Sequence, residues 1–188
     1  IVWIEISDKA NYAYDEKGHF LTNSAYFISG ENLKYLVSVL NSSVADYYFF
    51  QITAKIAGGR KRYTKQYVEQ IPIPFIPIEE QIPYEKLVDY VILAKSQADD
   101  IVFKFFESLL DALVFELYFP EEIKSAGKEI LKHLGDLKPI TDEMSEEKKL
   151  AIIQSEFERL YEPNHPVRFA IETLDSVEEV RIIKEALK

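Results

Sequence analysis

Cysteine is missing from all 188 residues, which rules out disulfides and thiolate-held metals. Histidine is almost missing. His19, His133 and His165 stand in unrelated contexts, and none is spaced with acids as a metal site requires. No apolar run approaches the ~20 residues of a membrane span, and no secretory signal is recognisable. A reducing cytoplasm is therefore the expected compartment, with no membrane partner. The only methionine is Met144 and the first residue is Ile1, so the sequence is expected to be a piece of a longer protein.

Signals for chemistry are also sparse. The adjacent glycines Gly58 and Gly59 are not followed by the Lys-Ser/Thr of a P-loop, nor do they belong to a dinucleotide-binding Gly-x-Gly-x-x-Gly. "EEIK" (121–124) and "EEKK" (146–149) contain the Glu-x-Lys of many metal-dependent nucleases. No Pro-Asp strand precedes either copy, and solvated helix faces with i,i+3 and i,i+4 pairing account for both. No catalytic residue and no metal ligand is expected.

What the chain does have is a balanced globular composition, 47% hydrophobic and 29% charged, with a net charge of −10. The sign is unevenly spread: residues 1–50 carry −3, residues 51–70 carry +4, and residues 71–188 carry −11. Five bases, Lys55, Arg60, Lys61, Arg62 and Lys65, face the single acid Glu69 in that middle stretch. An acidic body repels nucleic acid, so an anionic partner would be met at this island.

The elements follow from hydrophobic period and punctuation. "IVWIEIS" (1–7) alternates and is β-branched, which predicts a strand. Residues 12–30 predict a hairpin, with turn chemistry at Asp15 to Gly18 and a second β-prone run from Phe20 to Ser29. From Leu33 the period becomes 3–4, through Leu36, Val37, Leu40, Val44, Tyr47 and Tyr48, which predicts an amphipathic helix with Ser29 or Asn32 as its cap. Prolines 72, 74, 77 and 83 predict an extended, semi-rigid spacer. Residues 84–119 are helical in pattern, either as one rod or broken near Asp99–Asp100, and Pro120 stops them. Shorter helices are expected at 121–134, 143–161 and 176–187, separated by "GDLKP" and "EPNHP". The fold class is thus α+β: a small mixed α/β unit over 1–80, then an α-helical unit over 81–188 with long helices and a helical tail.

The island "KIAGGRKRYTK" (55–65) is suited to DNA. Gly58 and Gly59 let backbone approach a ligand closely. Arg60 and Arg62 can clamp phosphate or take guanine O6 and N7 with a bidentate fork, while Lys55, Lys61 and Lys65 suit phosphate. Tyr63 interrupts the charges and can stack or hydrogen-bond. If the segment is extended, Arg60 and Arg62 fall on one face and Lys61 and Tyr63 on the other. A solvated loop that merely happens to be basic is the other reading. Tyr67 and Val68, leading to Ile71, are expected in the core, and Asn41 is expected to bridge backbone rather than read a base.

The order of "NSAYFISGENLKYLVSVLNSSVADYYF", "GGRKRYTKQYVEQIPIP" and "LLDALVFELYFPEEI" resembles the TaqI-like C-terminal specificity region of type II and type IIG restriction–modification adenine-N6 DNA methyltransferases. Over roughly residues 1–120 the resemblance implies a target-recognition unit that holds double-stranded DNA for an upstream methyltransferase domain of the same chain. That family's Asn/Asp-Pro-Pro-Tyr/Phe motif and glycine-rich S-adenosylmethionine loop do not occur here. The fragment is therefore expected to recognise DNA without catalysis and without a cofactor of its own, S-adenosylmethionine lying in the upstream domain. The resemblance leaves open whether the parent also carries a restriction endonuclease. The competing class is a helical interaction or oligomerisation module that does not touch DNA.

Overall fold

A computed structural model describes residues 1–54, 56 and 59–188. Among these, three short strands come first, a fourth follows two helices, and the rest is helical, an α+β arrangement with an extended helical region. The first strand run is split in two: β1 (Val2–Ile4) and β2 (Ile6–Ser7). β1 pairs with β3 (Ala25–Phe27) in the register Trp3↔Tyr26, while β2 pairs with β4 (Lys61–Arg62) through Ile6↔Arg62 and Ser7↔Lys61.

The turn expected at 15–18 forms. The Asp15 carboxylate accepts from the backbone N–H groups of Lys17, Gly18 and His19, and Gly18 sits at φ 68°. The hairpin does not. Val2 bridges Ala13 on one side and pairs with Phe27 on the other, so the N-terminal strand lies between the two arms. The side chains explain this. Trp3 is buried, stacked on Tyr26 at 5.5 Å and tilted against Tyr12 at 5.4 Å, a contact set that a hairpin of the arms alone would leave open.

The helix expected from Leu33 is two: α1 (Leu33–Leu40) and α2 (Ser43–Ile52). Ser42 breaks it, its hydroxyl accepting from Ala45 N–H as the cap of α2. Asn32 stands at the start of α1 with φ 53° but makes no side-chain cap. Asn41, between the helices, donates to Tyr12 C=O and accepts from Tyr12 N–H, the backbone bridge anticipated for it. Tyr48 faces outwards and Phe49 is the buried aromatic, because restarting the helix at Ser43 turns its apolar face.

After α3 (Lys65–Val68), the Ile-Pro segment runs without regular structure to α4 (Ile78–Ser96), which begins six residues earlier than its prolines suggested. Pro83 costs α4 one backbone hydrogen bond, and burial of Tyr84, Leu87 and Tyr90 outweighs that loss. The exit is pinned from both sides: Tyr35 of α1 donates to Pro74 C=O at 2.6 Å, and a tyrosine 46 residues beyond Pro72, Tyr118, donates to that proline's carbonyl. α5 (Asp100–Tyr118) folds back on α4 after Asp99, whose carboxylate caps it at Ile101 and Val102 N–H. The long pattern is thus broken where its two aspartates stand.

α6 (Pro120–Ser125), α7 (Leu131–Leu134), α8 (Glu146–Tyr161), α9 (Pro166–Glu172), a 3₁₀ turn (Leu174–Ser176) and α10 (Glu178–Ala186) complete the chain. α9 was hidden because Pro166 reads as a breaker, whereas at the first helical position its missing N–H is no loss. His165 caps that helix, Nδ1 accepting from Val167 N–H. In "EEKK", Lys149 pairs with Glu146 at 3.0 Å. α1 and α2 pack on α4 and α5, and α10 packs on α2, so buried side chains from both ends of the chain join in one core.

One tertiary contact fixes where α2 starts. Asp111 of α5 accepts from Ser43 N–H at 2.7 Å and from Ser43 Oγ–H at 2.8 Å. Asp111→Ala is expected to lower stability by about 2 kcal/mol, the worth of charge-assisted bonds to a helix start. Urea unfolding followed by circular dichroism measures it, and an unchanged midpoint would reduce the contact to decoration.

Candidate nucleic-acid interface

The island is built outwards from Asp46, in the first turn of α2. Asp46 is buried, and its two oxygens are divided: Oδ2 accepts from Lys61 Nζ at 2.8 Å and Oδ1 from Tyr63 O–H at 2.8 Å. Lys61 is itself 5% exposed, its ammonium also lying 5.3 Å from the Phe50 ring centroid. Tyr63 is 2% exposed, stacked on Phe49 at 4.3 Å and met edge-on by Tyr12. Burial first, and the Asp46 charge second, push the Tyr63 phenol far above its ordinary range, so it stays a hydrogen-bond donor.

Backbone contacts hold the same strand from either side. Tyr63 N–H donates to Glu5 C=O at 2.6 Å, Trp3 Nε1–H donates to Tyr63 C=O at 2.7 Å, and Thr53 Oγ1–H donates to Arg62 C=O at 3.1 Å. The tip is closed by Ile56 N–H donating to Arg60 C=O at 3.2 Å. Gly59, at the turn, has φ 76°, a conformation that side chains disfavour.

Period-2 alternation does the rest. With Lys61 and Tyr63 locked inside, Arg60 and Arg62 project outwards. The expected splitting of these four residues onto two faces is observed. Lys61, expected at phosphate, and Tyr63, expected to stack or hydrogen-bond, both have their side chains inside, held by Asp46. Burying an ammonium demands a carboxylate partner, and that partner lies 15 residues upstream. Lys65 is exposed at the start of α3. Lys55 and Gly58 lie outside the described residues.

Beside Arg62 the surface opens into a depression of about 510 Å³, lined among others by Tyr26, Thr64, Lys65, Gln66 and Tyr67. The Thr64 hydroxyl is buried in its wall without a partner among the described residues. Among the described residues Arg62 is the one outward cation of the island with an ion-pair partner: Glu5 Oε1 lies 3.4 Å from its Nε. Among the described residues Arg60 and Lys65 have no ion-pair partner. The outward surface therefore offers one guanidinium beside a carboxylate, two cations without an ion-pair partner among the described residues, and a largely apolar hollow whose lining includes the acid Glu69; the cations suit a polyanion.

Sequence reasoning missed Asp46, Glu5, Tyr26, Thr64 and Gln66. Asp46 left one clue, as the single acid within the apolar "VADYYFF" run. Tyr67, expected in the core, is only half-buried and lines the hollow, while Val68 and Ile71 are buried as anticipated. No group of three or more His, Asp or Glu side chains among the described residues is placed to hold a metal ion. No helix among them is long and apolar enough to cross a membrane.

No curated protein and no solved structure matches the chain. A family of DNA-recognising specificity domains of restriction–modification systems does match part of it, and the matched part carries β1 to β4, Asp46, the whole island and the first Ile-Pro, though not "LLDALVFELYFPEEI". Residues 1–73 are matched by the model of the TaqI-like C-terminal specificity domain.

Proposed function

We propose that this chain is the sequence-recognition part of a restriction–modification adenine-N6 DNA methyltransferase of type II or type IIG organisation, acting in the cytoplasm. Residues 1–80 form the recognition unit on double-stranded DNA, and residues 81–188 form the helical unit that supports it and meets the upstream methyltransferase domain. The observation that carries this reading is the anchored strand: Lys61 and Tyr63 tie it to Asp46 from within, which turns Arg60, Arg62 and the neighbouring Lys65 outwards on a chain whose remaining surface is acidic. In this reading S-adenosylmethionine is held upstream, and base flipping and methyl transfer take place there. The residues here contribute register on the duplex: Arg60 and Lys65 on phosphate, the Arg62 guanidinium on base edges.

The salt dependence of duplex binding tests it. With Arg60 and Lys65 on phosphates, log K is expected to fall against log salt with a slope near −1.8, at ~0.9 per cation. Arg60→Ala and Lys65→Ala should each reduce that slope by ~0.9. A slope near zero for the full chain would sink the reading.

One observation favours a second reading, a protein-interaction module without DNA contact. Phe75 is 97% exposed, and Ile78 and Ile82 beside it are 66% and 43% exposed, an apolar stripe along the exit and the start of α4. In that case, sizing chromatography shows self-association and no shift on duplex DNA.

A further inference from the structure

We infer that Glu5 is a positioning residue for sequence readout, holding Arg62 so that its terminal nitrogens face the major-groove edge of a guanine. The inference rests on the DNA-recognition reading above. Its starting point is the difference between the two outward arginines: Arg62 has the Glu5 carboxylate 3.4 Å from its Nε, a clamp for which Arg60 has no counterpart among the described residues.

Both halves of the clamp stand on fixed backbone. Glu5 N–H donates to Ser24 C=O at 2.9 Å, and Glu5 C=O receives Tyr63 N–H at 2.6 Å. Arg62 is held through Ile6↔Arg62 pairing and by Thr53 on its carbonyl. The Glu5 carboxylate, 27% exposed, reaches the Nε side of the guanidinium at 3.4 Å. Nη1 and Nη2 make no hydrogen bond or ion pair among the described residues, and the side chain is 49% exposed at the edge of the Tyr26–Tyr67 hollow. A guanidinium held at Nε presents a pre-aligned pair of donors, the fork that fits guanine O6 and N7. Pre-alignment also spares the rotamer entropy that a free arginine loses on binding.

A carboxylate beside a polyanion is otherwise unfavourable. Unless it orders a reader, Glu5 only weakens DNA binding, and this gives the test two readouts that move in opposite directions. Arg60 and Lys65, without such a clamp, are free to follow phosphates.

The experiment selects duplexes from a randomised pool on the full chain, then on Glu5→Gln and Arg62→Ala. Wild type should select a site with guanine at a defined position, and Arg62→Ala should erase preference at that position alone. Glu5→Gln should weaken the preference at the same position about tenfold and leave the others intact. Its affinity for an alternating dA·dT duplex, which has no guanine, should hold or tighten, because one acid has left the interface. Circular dichroism of each variant guards against misfolding, since Glu5 uses only its backbone in the sheet. Unchanged discrimination by Glu5→Gln would overturn the inference. So would parallel loss on the selected and dA·dT duplexes, the mark of a structural prop. Absence of binding by wild type to any duplex would instead overturn the reading on which it rests.

Discussion

Asp46→Ala is expected to cost about 3–5 kcal/mol, the usual penalty for removing one partner of a buried ion pair. Two groups are stranded at once, for Lys61 Nζ and Tyr63 O–H both donate to this carboxylate at 2.8 Å. Tyr63 cannot turn to water without leaving its stack on Phe49, and Lys61 is only 5% exposed. A domain of this kind has a total stability of about 5–15 kcal/mol, so the variant loses a large share of it. Equilibrium urea unfolding measures the loss. The matched variant Lys61→Met with Asp46→Leu and Tyr63→Phe should recover much of it, because apolar side chains of similar volume replace the network without leaving a naked charge or an unpaired hydroxyl. If Asp46→Ala unfolds within 1 kcal/mol of wild type, the network is not what holds the strand. The function follows the same contact: a loosened strand no longer sorts Arg60 and Arg62 from Lys61, so duplex discrimination should fall even where the fold survives.

The second large effect is alkaline unfolding. Burial pushes the Tyr35 and Tyr118 phenols up to about 12, and it pushes those of Tyr12, Tyr63, Tyr84 and Tyr90 higher still. An unfolded tyrosine releases its proton near pH 10. Above that pH the unfolded chain binds fewer protons than the folded one, so stability falls as pH rises; below it these groups contribute no slope. Each phenol kept protonated costs at most about 1.4 kcal/mol per pH unit, and six together reach an upper figure of about 8 kcal/mol one unit above pH 10. The chain should therefore stay folded to about pH 10 and then unfold cooperatively, tyrosinate absorbance and loss of helical circular dichroism rising in one step. Gradual tyrosine titration centred near pH 10 with the helices intact would contradict the burial.

Much of this protein is legible in the order of its residues, because the signals concerned are local. Hydrophobic period marks α5 and α8; Asp99 and Pro120 mark where helices turn; absent motifs exclude metal and cofactor chemistry from the expectations. The basic island stands out by charge, and alternation alone states that Arg60 and Arg62 share a face. What alternation leaves open is which face is inside. That was decided by Asp46, reaching Lys61 across the fold, since a lysine's place depends on whether a carboxylate waits in the core. The placement of β1 between its neighbours was decided in the same way, by the buried packing of Trp3 with Tyr12 and Tyr26. Pro83 within α4 and Pro166 at the head of α9 show the reverse error, a local breaker overridden or used by its surroundings. The sequence by itself therefore determined the long helices, part of their punctuation and the presence of a cationic stretch. Tertiary structure alone decided which of its cations face outwards, because burial and ion pairing are contacts between residues far apart in the chain.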